Sequence, residues 1–182
     1  DKGWSVEMAI PRKAIASEFD NYLKAGKWLR INFSRVEWQF DLDANGRYSR
    51  KKDKEDKYLP EDNWVWTPTG QIAMHMPERW GYLYLSDKKV GQATEKFQYP
   101  DSQPVQRFLW MLFYAQEEQY AKNQSYYKNL PDFNLDSKDM QLLPSGYTVQ
   151  VEATSHTYEI TASAPDGKQY VIDESGSCFI RK

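Results

Sequence analysis

The sequence predicts a mainly β region followed by a small α+β unit made of one long helix and an antiparallel meander. Three observations predict it. Apolar residues alternate with polar ones before residue 90, a stripe at helical spacing runs on from residue 104, and turn residues separate short apolar runs near the C-terminus. The pattern changes near residue 91, so the expected regions are 1–90 and 91–182.

In GWSVEMAI (3–10), Trp4, Val6, Met8 and Ile10 alternate with Ser5, Glu7 and Ala9, which predicts a half-buried strand stopped by Pro11. A short helical segment is expected from Arg12 to Leu23, with Gly26 as its stop. Trp28–Phe40 is strand-rich, with Leu29, Ile31 and Phe33 on one face. Asn45-Gly46 is a hairpin-turn signal. The charged run RKKDKEDK (50–57) predicts a solvated loop. Asn63–Pro68 and Trp80–Leu85 complete the β reading of this region.

Ser102-Gln103-Pro104 reads as a helix start, and the helix is expected to reach about Asn123. Phe108, Leu109, Leu112 and Ala115 form its main stripe, while Trp110, Phe113 and Tyr114 widen the apolar surface to nearly all round. Such a helix is covered on more than one side, by its own sheet and, on this reading, by the first region. The strands YTVQV (147–151), TYEITAS (157–163), QYVID (169–173) and SCFIR (177–181) then make the meander, with turns at Pro165-Asp166-Gly167 and Ser175-Gly176.

Composition narrows the function. With 7 Trp, 13 Tyr and 8 Phe in 182 residues, the chain is too aromatic to be disordered. A net charge of −2 supplies no basic field for nucleic acid. The longest apolar run, Phe108–Ala115, is far short of the ~20 residues a membrane span needs. One cysteine and 2 histidines do not make a zinc site, and no cofactor is implied.

The segments GWSVEMAIP (3–11), LRINFSRVEW (29–38) and NWVWTPTGQIAMHMPERWGYLYLS (63–86) together resemble the C-terminal half of the family 9 carbohydrate-binding modules, relatives of the DOMON sandwiches. The resemblance implies an incomplete β-sandwich in a bacterial protein that is secreted, periplasmic or on the cell surface. It implies non-catalytic recognition of a polysaccharide or oligosaccharide, in a module attached to or associated with a glycoside hydrolase. It places ligand-binding positions at Ser34 and Gln71. One stacking tryptophan of such modules would fall where this chain has Met74-His75-Met76, and the other in a first half that is missing here. That N-terminal half is therefore an expected partner, supplied by an upstream segment or a second copy. The second region is similar in layout to pilin-like domains, a likeness that carries no function.

Sugar recognition needs flat apolar faces for the ring and planar polar groups for the hydroxyls. Trp64 and Trp66, two apart, share a strand face; sandwich core is the preferred reading and a sugar platform the sharper one. His75 is read as packed or slot-lining in preference to a haem ligand beside a methionine. Asp41-x-Asp43-x-Asn45-Gly46 opens like a calcium loop, but Lys52 stands where the closing Glu belongs, so a hairpin turn is preferred. No catalytic residue is assigned: Glu117 and Glu118 are adjacent on a helix and diverge, and neither a nucleophile elbow nor a phosphate loop is present. The alternative to glycan binding is a structural or protein-interaction unit whose sandwich has lost its sugar slot.

Overall fold

The computed structural model describes residues 5–11, 14, 23–70, 73–89, 91–92 and 95–181. It is mostly β-strand in small antiparallel sheets, with one long helix, and it divides into two compact units, Asp1–Phe97 and Gln98–Lys182.

In the first unit an outgoing segment carries β1 (Trp28–Ile31), β2 (Ser34–Glu37) and β3 (Phe40–Leu42). The chain turns at Asn45-Gly46 and returns as β4 (Tyr48–Arg50), β5 (Asp62–Val65) and β6 (Gly81–Tyr84). The return pairs in reverse order, β4 on β3, β5 on β2 and β6 on β1, so three two-stranded ladders follow one another along the outgoing segment. Asp43 sets the first turn: its Oδ1 accepts from the amides of Asn45 and Arg47, both at 2.8 Å, and Gly46 supplies the positive φ of 75°. This is the hairpin reading of the Asp41–Gly46 run.

Two excursions interrupt the return. The first, read from sequence as a solvated loop, is a tight hairpin. Lys52 bridges Tyr58, Leu59 N donates to Lys51 O at 2.9 Å, and Asp53 Oδ1 accepts from the amides of Glu55 and Lys57. Asx-turn chemistry shapes the run, whose residues 51–57 stay exposed. The second excursion carries the 3₁₀ turn Pro77–Arg79.

Residues 5–11 form no ladder, and Val6, Met8 and Ile10 are exposed, contrary to the strand expected at 3–10. Alternation alone does not make a strand; backbone groups need a partner ladder, and none of the described strands pairs with residues 5–11. Trp4 and all but Ala14 and Leu23 of the expected helix lie outside the described residues.

The second unit opens with α1 (Gln103–Asn123), with Pro104 in its first turn and Gln124 closing it in the left-handed region. Ser102 precedes it without a side-chain cap. A short α2 (Ser137–Met140) is capped by Asp136, which accepts from the amides of Lys138 and Asp139. β7 (Thr148–Ala153), β8 (Tyr158–Ser163), β9 (Gln169–Asp173) and β10 (Cys178–Arg181) make one antiparallel meander.

Register places Val151, Ile160 and Ile172 in a row, and Val149, Ala162 and Tyr170 in the next. These rows and α1 residues Val105, Phe108, Leu109 and Leu112 form the core. Each large side chain so buried contributes roughly 1.5–3 kcal/mol. The Trp110 and Phe113 rings of α1 lie against Gly176 in the β9–β10 turn. Gln116, fully buried, satisfies its amide on the backbone of Tyr127, donating at 2.9 Å and accepting at 2.7 Å.

Candidate functional site

The ladder of β2 and β5 carries the tryptophans that sequence singles out. Arg35 lies opposite Trp64 and Glu37 opposite Asp62, while Trp66 N donates to Phe33 O at 2.8 Å just beyond the ladder. Opposed residues share a face. One face therefore holds Phe33 and Trp66, then Arg35 and Trp64, then Glu37 and Asp62. The Phe33 and Trp66 rings are 5.7 Å apart, and the Arg35 guanidinium lies 5.4 Å from the Trp64 ring while pairing with Glu37 at 2.6 Å.

This face is open. Phe33, Trp64 and Trp66 are 49%, 50% and 56% exposed. The tryptophans are thus not core, although core is the commoner fate of such residues. Ladder pairing fixed their common side, and nothing on that ladder covers it.

The platform is held from behind. Asn32 donates to Thr67 O and accepts from the amides of Thr67 and Phe33, each at 3.0 Å. The Thr67 hydroxyl accepts from Gly81 N at 3.1 Å. The Trp66 ring lies so close over Gly81 that a Cβ there would stand 2.5 Å from Cζ3. Any side chain at 81 would push the ring away. The loop beyond is tied by Trp80 Nε1 donating to Met74 O at 2.9 Å and Arg79 donating to Thr69 O at 2.5 Å.

The other predicted positions are not brought to this face. Ser34 pairs with Val65, on the opposite side of the ladder from Trp64. Successive strand residues alternate in face, so Ser34 lies on the other side from Phe33 and Arg35. His75 is exposed and not packed, whereas its neighbour Met76 is buried. Gln71 lies outside the described residues.

Sequence reasoning missed a second aromatic cluster on the same unit. The Arg50 guanidinium lies 3.5 Å from the centre of Trp38 and 4.8 Å from that of Tyr58, while Phe40 and Tyr48 meet edge-on at 6.1 Å. A third gathers Tyr82, Tyr84 and Phe97 around Trp28, with Arg30 over the Tyr82 ring and donating to Trp80 O at 2.8 Å and to the Tyr82 hydroxyl. Burial holds the Arg30 guanidinium below the ordinary arginine range, opposed by its contacts with Tyr82.

Among the described residues no group of three or more His, Cys, Asp or Glu could hold a metal ion, and no helix is long and apolar enough to cross a membrane. The chain matches no known family profile, no curated protein and no solved structure.

Proposed function

We propose that the chain binds glycans without catalysing a reaction, through the exposed face of Phe33, Trp64 and Trp66. The observation that carries this reading is the open pair of tryptophans with polar groups beside them. Two large flat rings stand out of the ladder on the same side as Arg35, Glu37 and Asp62. Rings receive the apolar face of a pyranose, and planar charged groups take its hydroxyls. The Asp62 side chain is exposed and makes no hydrogen bond to a described residue, so its oxygens are open to a hydroxyl donor.

The family 9 resemblance supports the same reading and extends it. On it the protein works outside the cytoplasm, attached to or associated with a glycoside hydrolase. The ladders then belong to a sandwich whose remaining strands come from an upstream segment or a second copy. Gel-retardation on immobilised neutral and acidic polysaccharides tests the proposal. Retention is expected, with Trp64→Ala and Trp66→Ala each weakening it about tenfold or more. A chain that no polysaccharide retards would contradict it.

One observation favours the alternative, a protein-interaction unit. Val36, Phe40 and Leu42 are also exposed, on a second set of apolar positions along the same outgoing segment. That reading expects concentration-dependent association in sedimentation, with no glycan retention.

A further inference from the structure

We propose that Arg50 is the anion-gripping group of a second binding site, one that takes the carboxylate of an acidic sugar such as a uronate. The site is separate from the Trp64–Trp66 platform, because Arg50 pairs with Phe40 at the far end of the outgoing segment.

Arg50 is an arginine without an acid partner among the described residues. Its Nε is buried with no hydrogen-bond acceptor. A guanidinium held against aromatic rings, with no acid of its own, favours an anionic partner from outside. The acids of the following hairpin are already engaged. Asp56 pairs with Lys52 at 2.9 Å, Glu55 pairs with Lys57 at 2.8 Å, and Asp53 caps its own turn. Residues 47–57 carry 6 Lys/Arg against 3 Asp/Glu, so the local field also favours an anion.

Two features set the anion's identity. Trp38 and Tyr58 lie against the guanidinium and Nε is buried, which leaves the two terminal Nη groups to do the binding. That pair of groups matches a carboxylate with two parallel hydrogen bonds. Beside it stand open rings, Tyr48 76% and Tyr58 58% exposed, with Phe40 next to Tyr48. A carboxylate carried on a ring that stacks on aromatic faces is an acidic sugar; an acidic peptide supplies the carboxylate without the ring.

The test measures binding of the full chain to polygalacturonate, to the same polymer fully methyl-esterified, and to polyglutamate. Polygalacturonate should bind, and esterification should weaken binding at least about tenfold, since it removes the charge and leaves the ring. That comparison uses the unaltered protein and does not depend on a variant folding. Arg50→Gln should lose at least about tenfold, and Arg50→Lys nearly as much, because an ammonium cannot offer two parallel donors. Lys54→Gln, which removes an exposed charge from the same hairpin, should change affinity less than about twofold. Equal binding of free and esterified polymer, no binding of either, or an unaffected Arg50→Gln would overturn the proposal. Polyglutamate binding as tightly as polygalacturonate would overturn its sugar part.

Discussion

The second unit lays α1 across a four-stranded meander, and Phe108, Leu109, Leu112, Ile160 and Ile172 disappear completely from solvent. The first unit carries strands of equally clear alternation on two-stranded ladders, and Phe33, Val36, Phe40, Trp64 and Trp66 all remain about half exposed. The difference lies in what is opposite the apolar face rather than in how apolar that face is. A sheet with a helix over it has a core, whereas a ladder with nothing over it has a surface. Aromatic residues on such a surface cost solubility, and a binding role gives a reason for them to be there.

The comparison breaks most sharply at the core. Phe108→Ala should destabilise the second unit by about 3–5 kcal/mol, while Trp64→Ala should move stability by no more than about 1 kcal/mol. Chemical denaturation followed by circular dichroism measures both; comparable losses would mean that Trp64 is buried after all.

The next effect is on pH. Burial, with Asp173 adding to it, pushes the Cys178 thiol up to about 11 from 9.0. The fold favours the neutral thiol, so the unfolded chain ionises first and binds fewer protons as pH rises. This contribution to stability is therefore complete below about pH 9 and lost progressively between about 9 and 11. Alkylation at pH 8 should accordingly be slower for Cys178 in the folded protein than in urea by about a hundredfold. Equal rates would place the thiol in water.

Gly81→Ala sharpens the first unit's side. It should tilt the Trp66 ring and weaken glycan retention by about tenfold while leaving the second unit's unfolding transition unchanged. The smallest effect is expected at Tyr158, 3% exposed, whose hydroxyl is buried without a partner and is held above the ordinary tyrosine range chiefly by that burial. Tyr158→Phe removes an unsatisfied group, so it should be neutral or stabilise by up to about 1 kcal/mol in thermal unfolding. A loss of more than that would reveal a hydrogen bond to the hydroxyl.

These contrasts also show what sequence could carry. The helix from Gln103 to Asn123 and the strands of the meander were legible because period and burial agree there: the residues that alternate are the residues that are covered. In the first unit the shared side of Trp64 and Trp66 was legible from their spacing, but their exposure was not, since alternation does not say whether a cover exists. The resemblance points to Ser34, and ladder register puts it on the other side from Trp64. Arg50, Trp38 and Tyr58 were not legible at all. They meet because a charged run folds into a hairpin through Asp53, a side chain–backbone bond that the charge pattern hides.

On the proposed reading, ligand docks on the open aromatic face of the first unit and leaves the closed core of the second alone. Nuclear magnetic resonance of the tryptophan indole N–H groups tests it directly, with the full chain titrated in turn with cello-, xylo- and galacturono-oligosaccharides. The indole signals of Trp64 and Trp66, which are exposed, should shift with at least one neutral series, and that of Trp110, half-buried against the Gly176 turn, should stay in place. Unmoved signals from both Trp64 and Trp66 across all three series, or a shift of Trp110 in their place, would contradict it.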